Sequence, residues 1–524
     1  MPRHALPLLA LLMVSATAYA VPATPSVTAR PKLILTLVID QFRADYLTRF
    51  EGEFLAPRTK SGEIGGFRHL MSQGAYFPMG EYEILHSMTG PGHATILTGA
   101  YPYLMGIPVN DWYDPGTRDR VYCTEDSAQE IVGFKTTKKH LGTSPKNLIG
   151  STVGDELKNA GYPSRVVSLA LKDRAAILMG GSRADLAMWF DKDAGHWVSS
   201  TFYRPDRKLP DWVTTLNQNL HAKQPCDLET ECGLEMTEVA AEAALQEYKL
   251  GQGKATDLLA VSFSSHDYAG HHYGPNSPQL ETMTLAEDRL ISKLLNVVKK
   301  RVPGGLANVV VVLTGDHGIP PIPELVKKAG VDAGRLTPEK DSAAIESYLE
   351  TKYGKPAQGK WMPYVADNNF YLNEDAVREK KLDLAAVEEE VKPLLIKNPG
   401  VFFVFSRADY LARKLPPGML EKQILKTYFP KRGGNLVVIP KPFYMEGGGG
   451  SYEVTHMTGF SYDRTVPIIL SGFGFQAGVY PQTAHVVDIA PTLSFLAGTI
   501  PPALSEGRVL SEAMSRNPDR PRRK

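Results

Sequence analysis

Lys32-Leu33-Ile34-Leu35-Thr36-Leu37-Val38-Ile39-Asp40 is a near-continuous apolar run that stops on an acid. Alternation would mark a strand with one wet face. An unbroken run of this length marks a strand buried on both faces, as in a parallel sheet covered by helices. Similar runs recur at Arg165 to Ala170, Asp257 to Phe263, Asn308 to Thr314 and Val466 to Ser471. Helical patterns lie between them, the clearest from about Thr282 to Lys300, with Met283, Ala286, Leu290, Leu294 and Val297 on one face. The alternation predicts an α/β fold: a doubly wound, mostly parallel central sheet with helices on both faces.

From roughly 325 to 445 the texture changes. This stretch is more charged, with a helical piece around Leu382 to Lys397 and a strand-like Asn435 to Ile439. It reads as an inserted cap region that leaves the main sheet and returns before Gly447-Gly448-Gly449-Gly450. No P-loop Lys-Ser/Thr follows that glycine run, so it reads as a loop and not a phosphate cradle. Asp488 before Ile489-Ala490-Pro491 reads as the cap of a late helix.

The first twenty residues read as a cleaved secretory leader: Arg3, the apolar run Leu8 to Val14, and the small-x-small site Ala18-Tyr19-Ala20. No further segment reaches membrane-spanning length. The expected mature protein is one domain over 30–515 with a disordered basic tail, 516–524, and is periplasmic or secreted. Lys plus Arg number 58 against 57 Asp plus Glu, so nothing in the charge balance points to nucleic acid. Three cysteines are present; Cys226 and Cys232 flank a short polar loop and are expected to pair in an oxidising compartment, leaving Cys123 free.

The polar residues gather where predicted strands end. Asp40 closes the first. Asp267 and His271 follow the strand ending at Phe263, Asp316 and His317 follow Thr314, and His456 precedes the next strand. In open α/β sheets ligands bind beyond the carboxyl ends of the strands, so these residues can meet in one cleft. Singly, each Asp is an ordinary turn residue and each His an ordinary surface histidine. Together they form a generous ligand set for two divalent metals of the carboxylate–imidazole kind, zinc in preference to manganese.

The stretch Ser87-Met88-Thr89-Gly90-Pro91-Gly92-His93-Ala94-Thr95-Ile96-Leu97-Thr98-Gly99 reads as a loop turning into a short helix that Gly99 stops. Thr89 is placed just before the helix start, where unpaired N–H groups and the helix dipole favour an anion. Its hydroxyl is either a nucleophile toward phosphate or a simple N-cap. The set Thr89-Gly90-Pro91-Gly92-His93, Asp267-x-x-x-His271 with Tyr273-Gly274-Pro275, Gly315-Asp316-His317-Gly318 and a late His resembles the alkaline phosphatase superfamily. Within it, the chain is most similar to bacterial periplasmic alkaline phosphatases with a Thr nucleophile, in the type I phosphodiesterase/nucleotide pyrophosphatase-like group. The resemblance runs from Asp40 to about Gly498. It implies one zinc on Asp267, His271 and His456, and a second on Asp40, Asp316 and His317 with Thr89 as its hydroxyl ligand. A structural calcium is left open.

Asn110 matches the phosphate-contacting Asn of that group, and Lys172 and Arg174 match the Lys-x-Arg of its monoesterases, which its diesterases generally lack. In a continuing strand the two side chains would point the same way. An Arg fork beside a Lys point charge suits the dianionic monoester. The resemblance therefore implies an alkaline phosphatase of broad substrate range, working through a phosphothreonine on small phosphate esters; a monomer is expected, though no motif in the sequence specifies the oligomeric state. The alternatives are a phosphodiesterase or nucleotide pyrophosphatase using the same metals, and a non-catalytic exported metal- or phosphate-binding protein.

Overall fold

The computed structural model describes residues 29–133, 141–221, 226–447 and 452–515. The leader, the basic tail and most of the glycine run lie outside the described residues. The strand read from the opening stretch runs Leu33–Ile39, and every residue of it is buried. It sits at the heart of an 11-stranded sheet. Five central strands are parallel, in the order Val309–Gly315, Leu33–Ile39, Asp257–Phe263, Val166–Ala170 and Leu186–Asp191. Outside them the sheet turns antiparallel: Thr465–Gly472 pairs with Val309–Gly315 on one side, and His196–Ser200 with Leu186–Asp191 on the other. The last predicted strand is thus antiparallel, and the sheet is mixed.

Side chains on a strand alternate between faces, and here both faces feed a core. Leu33, Leu35, Leu37 and Ile39 join one cluster with Leu234, Leu280, Ile291 and Leu294 from the helices Glu231–Glu247 and Pro278–Arg301. Ile34 and Val38 join the opposite cluster with Ile96, Leu97, Leu157 and Leu493. That second face carries the helix Thr89–Thr98.

Boundaries moved where caps decide them. The long helix begins at Pro278, earlier than its apolar stripe, because Ser277 accepts a hydrogen bond from Leu280 N and Pro278 takes the first turn. Asp488 stands at the N-cap position of Ile489–Ala497 but does not cap it: its carboxylate accepts from the backbone of His485 and Arg508 instead. The structure pairs Cys226 with Cys232, and Cys123 is free and buried.

Between His317 and His456 the chain builds a separate four-stranded sheet in the order Tyr364–Ala366, Asn369–Tyr371, Leu436–Pro440, Val401–Ser406. It has its own core, including Trp361, Phe370, Val391 and Leu395. The strands Gly334–Leu336 and Tyr444–Glu446 pair side by side at its base.

A candidate two-metal centre at the ends of the parallel strands

Register brings the strand ends level: Ile39 lies opposite both Phe263 and Gly315, and Ala170 opposite Ser262. The next residues along each chain are therefore neighbours. Asp40, Asp316, His317, Asp267, His456 and Lys172 are all buried there. Ligand atoms of Asp40, Asp316 and His317 lie within 4.8 Å of one another, and so do those of Asp267, His317 and His456. His271 Nε2 is 3.2 Å from Asp267 Oδ1, with its ring 5.0 Å from that of His456. The structure thus brings all six expected ligand residues together, with one difference: His317 stacks on His456 at 3.7 Å and approaches both groups.

The donor chemistry fits divalent metals. All three imidazoles turn Nδ1 to a backbone carbonyl: His271 to Val454 at 2.8 Å, His456 to Ser87 at 2.6 Å and His317 to Gly318 at 3.0 Å. An imidazole that donates from Nδ1 keeps the Nε2 lone pair for a metal. Burial pushes His317 down to about 3 and also lowers His456, so both stay neutral. His317 Nε2 and Asp40 Oδ1, 3.5 Å apart, are buried with no hydrogen bond. Three carboxylates share this space, and buried charge is tolerated only when paired or metal-bound. Burial and then the neighbouring Asp316 raise Asp40 well above the carboxylate range. Asp267, despite its burial, is held well below that range by His271 and Lys172.

Lys172 Nζ lies 2.7 Å from Asp40 and 2.6 Å from Asp267, and 3.3 Å from Thr89 Oγ1. Arg174 reaches the same hydroxyl at 3.4 Å. They do not do so as two residues of one strand. The strand ends at Ala170, Lys172 is the extended cap, and Arg174 is already in the helix Asp173–Gly180. The shared direction comes from that turn. Thr89 is not before its helix but its first residue; Met88 takes the cap position, and the first helical bond runs from Gly92 N to Met88 O. The Thr89 hydroxyl is consequently not used as a cap. Asn110 Oδ1 accepts from Gly90 N at 2.8 Å, which leaves its amide N–H₂ as the free end. Gly99 ends the helix in the left-handed conformation at φ 64°.

Two residues that sequence reasoning passed over tie the site together. Gln41, in the left-handed region at φ 70°, donates its backbone N–H to Asp316 Oδ1 and its side-chain Nε2 to Asp267 Oδ1. His93, one helical turn after Thr89, has Nδ1 near both the Thr89 carbonyl and Asp316 Oδ2, and Nε2 on Ser262. Adjacency to Asp40 was the only clue to Gln41; His93 stood within the motif without a role. The second glycine of that motif also has a reason. A Cβ on Gly92 would lie 2.3 Å from the carbonyl oxygen of Asp316. Gly92→Ala is expected to cost about 1–3 kcal/mol, read as a lowered melting temperature, and to reduce retention of a divalent metal after dialysis. Wild-type melting and retention would show that the helix can withdraw.

A family model described as type I phosphodiesterase / nucleotide pyrophosphatase matches residues 34–458, and the chain belongs to that family. The alkaline phosphatase PhoV of Synechococcus elongatus is 30% identical, over 94% of this chain and 94% of its own length. The alkaline phosphatase PafA of Elizabethkingia meningoseptica is likewise 30% identical, over 93% and 95%. The crystal structure of PafA superposes with a TM-score of 0.84 at 28% identity, covering 93% of this chain and 99% of that one. Murine ectonucleotide pyrophosphatase/phosphodiesterase 5 shares the fold at 14% identity and a TM-score of 0.53.

Proposed function

We propose that this protein is a phosphate-monoester hydrolase, an alkaline phosphatase that works through a phosphothreonine at a two-zinc site. The observation that carries the reading is the convergence of Lys172 and Arg174 on the Thr89 hydroxyl, at 3.3 and 3.4 Å. Asp267, His271 and His456 would hold one zinc and Asp40, Asp316, His317 and Thr89 the other; when bound, the metals lower the pKa of hydroxyl and water and offset negative charge on the departing oxygen. Thr89 Oγ1 attacks phosphorus, the bond to the leaving oxygen breaks, and the alcohol departs with a proton. Water then breaks the new phosphorus–oxygen bond, releasing inorganic phosphate and restoring Thr89. Lys172 and Arg174 face the non-bridging oxygens, and the Asn110 amide donates to one of them. A diester, with one charge fewer and one bulky group more, would use these cations poorly.

The enzyme acts on small phosphate esters, as an exported monomer. Among the described residues no helix is long and apolar enough to cross a membrane. Zinc-loaded protein should hydrolyse p-nitrophenyl phosphate with a kcat/KM orders of magnitude above that for bis-p-nitrophenyl phosphate at alkaline pH. A diester preference would move the protein to the phosphodiesterases; bound zinc with no turnover of either would leave a binding protein.

A further inference from the structure

Arg174 does not stand against Thr89 on its own. One guanidinium nitrogen, Nη2, reaches Thr89, while Nη1 donates to the Tyr122 hydroxyl at 3.2 Å. That hydroxyl in turn donates to Asp173 Oδ1 at 2.6 Å, and Thr124 Oγ1 donates to Asp173 Oδ2 at 2.9 Å. A phenol therefore stands between a carboxylate and a guanidinium that are consecutive in sequence and opposite in charge. Burial, with Asp173 beside it, pushes the Tyr122 hydroxyl well above the ordinary tyrosine value, so it keeps the proton it donates. The Arg174 Nε is buried and makes no hydrogen bond.

The placement of Tyr122 is not accidental to the site. It ends the strand Asp119–Tyr122, paired antiparallel with Asp111–Asp114 so that Tyr122 faces Asp111. One residue on, Cys123 N donates to the carbonyl of Asn110 at 2.8 Å. The same hairpin end thus delivers Asn110 to the turn after Thr89 and Tyr122 to the guanidinium.

We propose that Tyr122 is a positioning residue for monoester recognition: its hydroxyl holds the Arg174 guanidinium toward Thr89 and off Asp173, so that the cation meets the phosphoryl oxygens. The inference rests on the function proposed above and deepens it. With phenylalanine at this position nothing polar separates Arg174 from Asp173. In a buried setting the resulting ion pair competes directly with phosphate for the guanidinium.

The test uses zinc-loaded full-length protein, with inorganic phosphate binding measured by calorimetry beside the two nitrophenyl esters. Tyr122→Phe should weaken phosphate binding and lower monoester kcat/KM by about 10- to 100-fold, the scale of one hydrogen bond to a charged group. Diester kcat/KM should move by less than about 3-fold, and zinc content should not move. In an Arg174→Ala background the same change should add nothing further. Adding Asp173→Asn to Tyr122→Phe should recover part of the loss, since the competing carboxylate is then neutral. Unchanged phosphate binding in Tyr122→Phe, or a loss that multiplies with that of Arg174→Ala, overturns the proposal. Should the wild type hydrolyse no monoester, the proposed function falls, and the calorimetry still decides Tyr122.

Discussion

Thr89→Ala is expected to lose monoester turnover by at least about 10³-fold while keeping its zinc and its fold. The reasoning is local. The hydroxyl contacts Lys172 and Arg174, and it is not what starts the helix, since Met88 occupies the cap position and Gly92 N closes the first turn onto Met88 O. Alanine is also the best helix former, so the first turn tolerates it. Of the proposed ligands, six remain: Asp40, Asp267, His271, Asp316, His317 and His456. Rate measurement with metal analysis on the same preparation decides the matter. Turnover within about tenfold of wild type, with zinc present, would mean that water attacks phosphorus directly and that Thr89 is not the nucleophile. Zinc lost together with activity would assign Thr89 a ligand role too large to be separated from chemistry.

The second large effect is on selectivity. Charge-assisted hydrogen bonds are worth about 1.5–3 kcal/mol each. Replacing Lys172 and Arg174 by alanine together should therefore lower monoester kcat/KM by about 10²–10⁴-fold, and bis-p-nitrophenyl phosphate hydrolysis far less, so that the preference for monoesters collapses. The two single variants should differ in a second respect. Lys172 is also the cation beside Asp40 and Asp267, both buried. Removing it leaves those carboxylates without their ammonium whenever no metal is bound, so Lys172→Ala should melt earlier than wild type in the presence of chelator. Arg174 bears on Tyr122 and Thr89 and should show no such chelator dependence. Equal losses on monoester and diester would show that the two cations serve the site's integrity and not its choice of substrate.

The parts legible in the sequence are those written in side-chain type. The apolar run from Leu33 to Ile39 announced a doubly covered strand, and Asp40, Asp267, Asp316 and His317 stood where such strands must end. What was not legible is written in the backbone. The mixed character of the sheet depends on chain direction, which the apolar run at Val466 to Ser471 does not encode. The common aim of Lys172 and Arg174 is produced by a strand-to-helix turn, where strand periodicity no longer applies. Gln41 acts partly through its N–H and a left-handed φ, and no composition or spacing rule points to either. His271, His317 and His456 were visible as imidazoles; the carbonyls of Val454, Gly318 and Ser87 that orient them belong to residues whose side chains have no part in it.

Those ligands are also far apart along the chain. Gln41, next to Asp40, meets Asp316 across a sequence separation of 275, and Asp267 lies 3.7 Å from His456. Small zinc modules gather their ligands from one short segment, so metal and folding arrive together. Here no fragment emerging early could assemble even one triad, and long-range closure is slow. The complete site therefore exists only once segments reaching from Asp40 to His456 have come together on the folded sheet. Retention of a divalent metal would report that the strand ends carrying Asp40, Asp267 and Asp316 have met the distant His456.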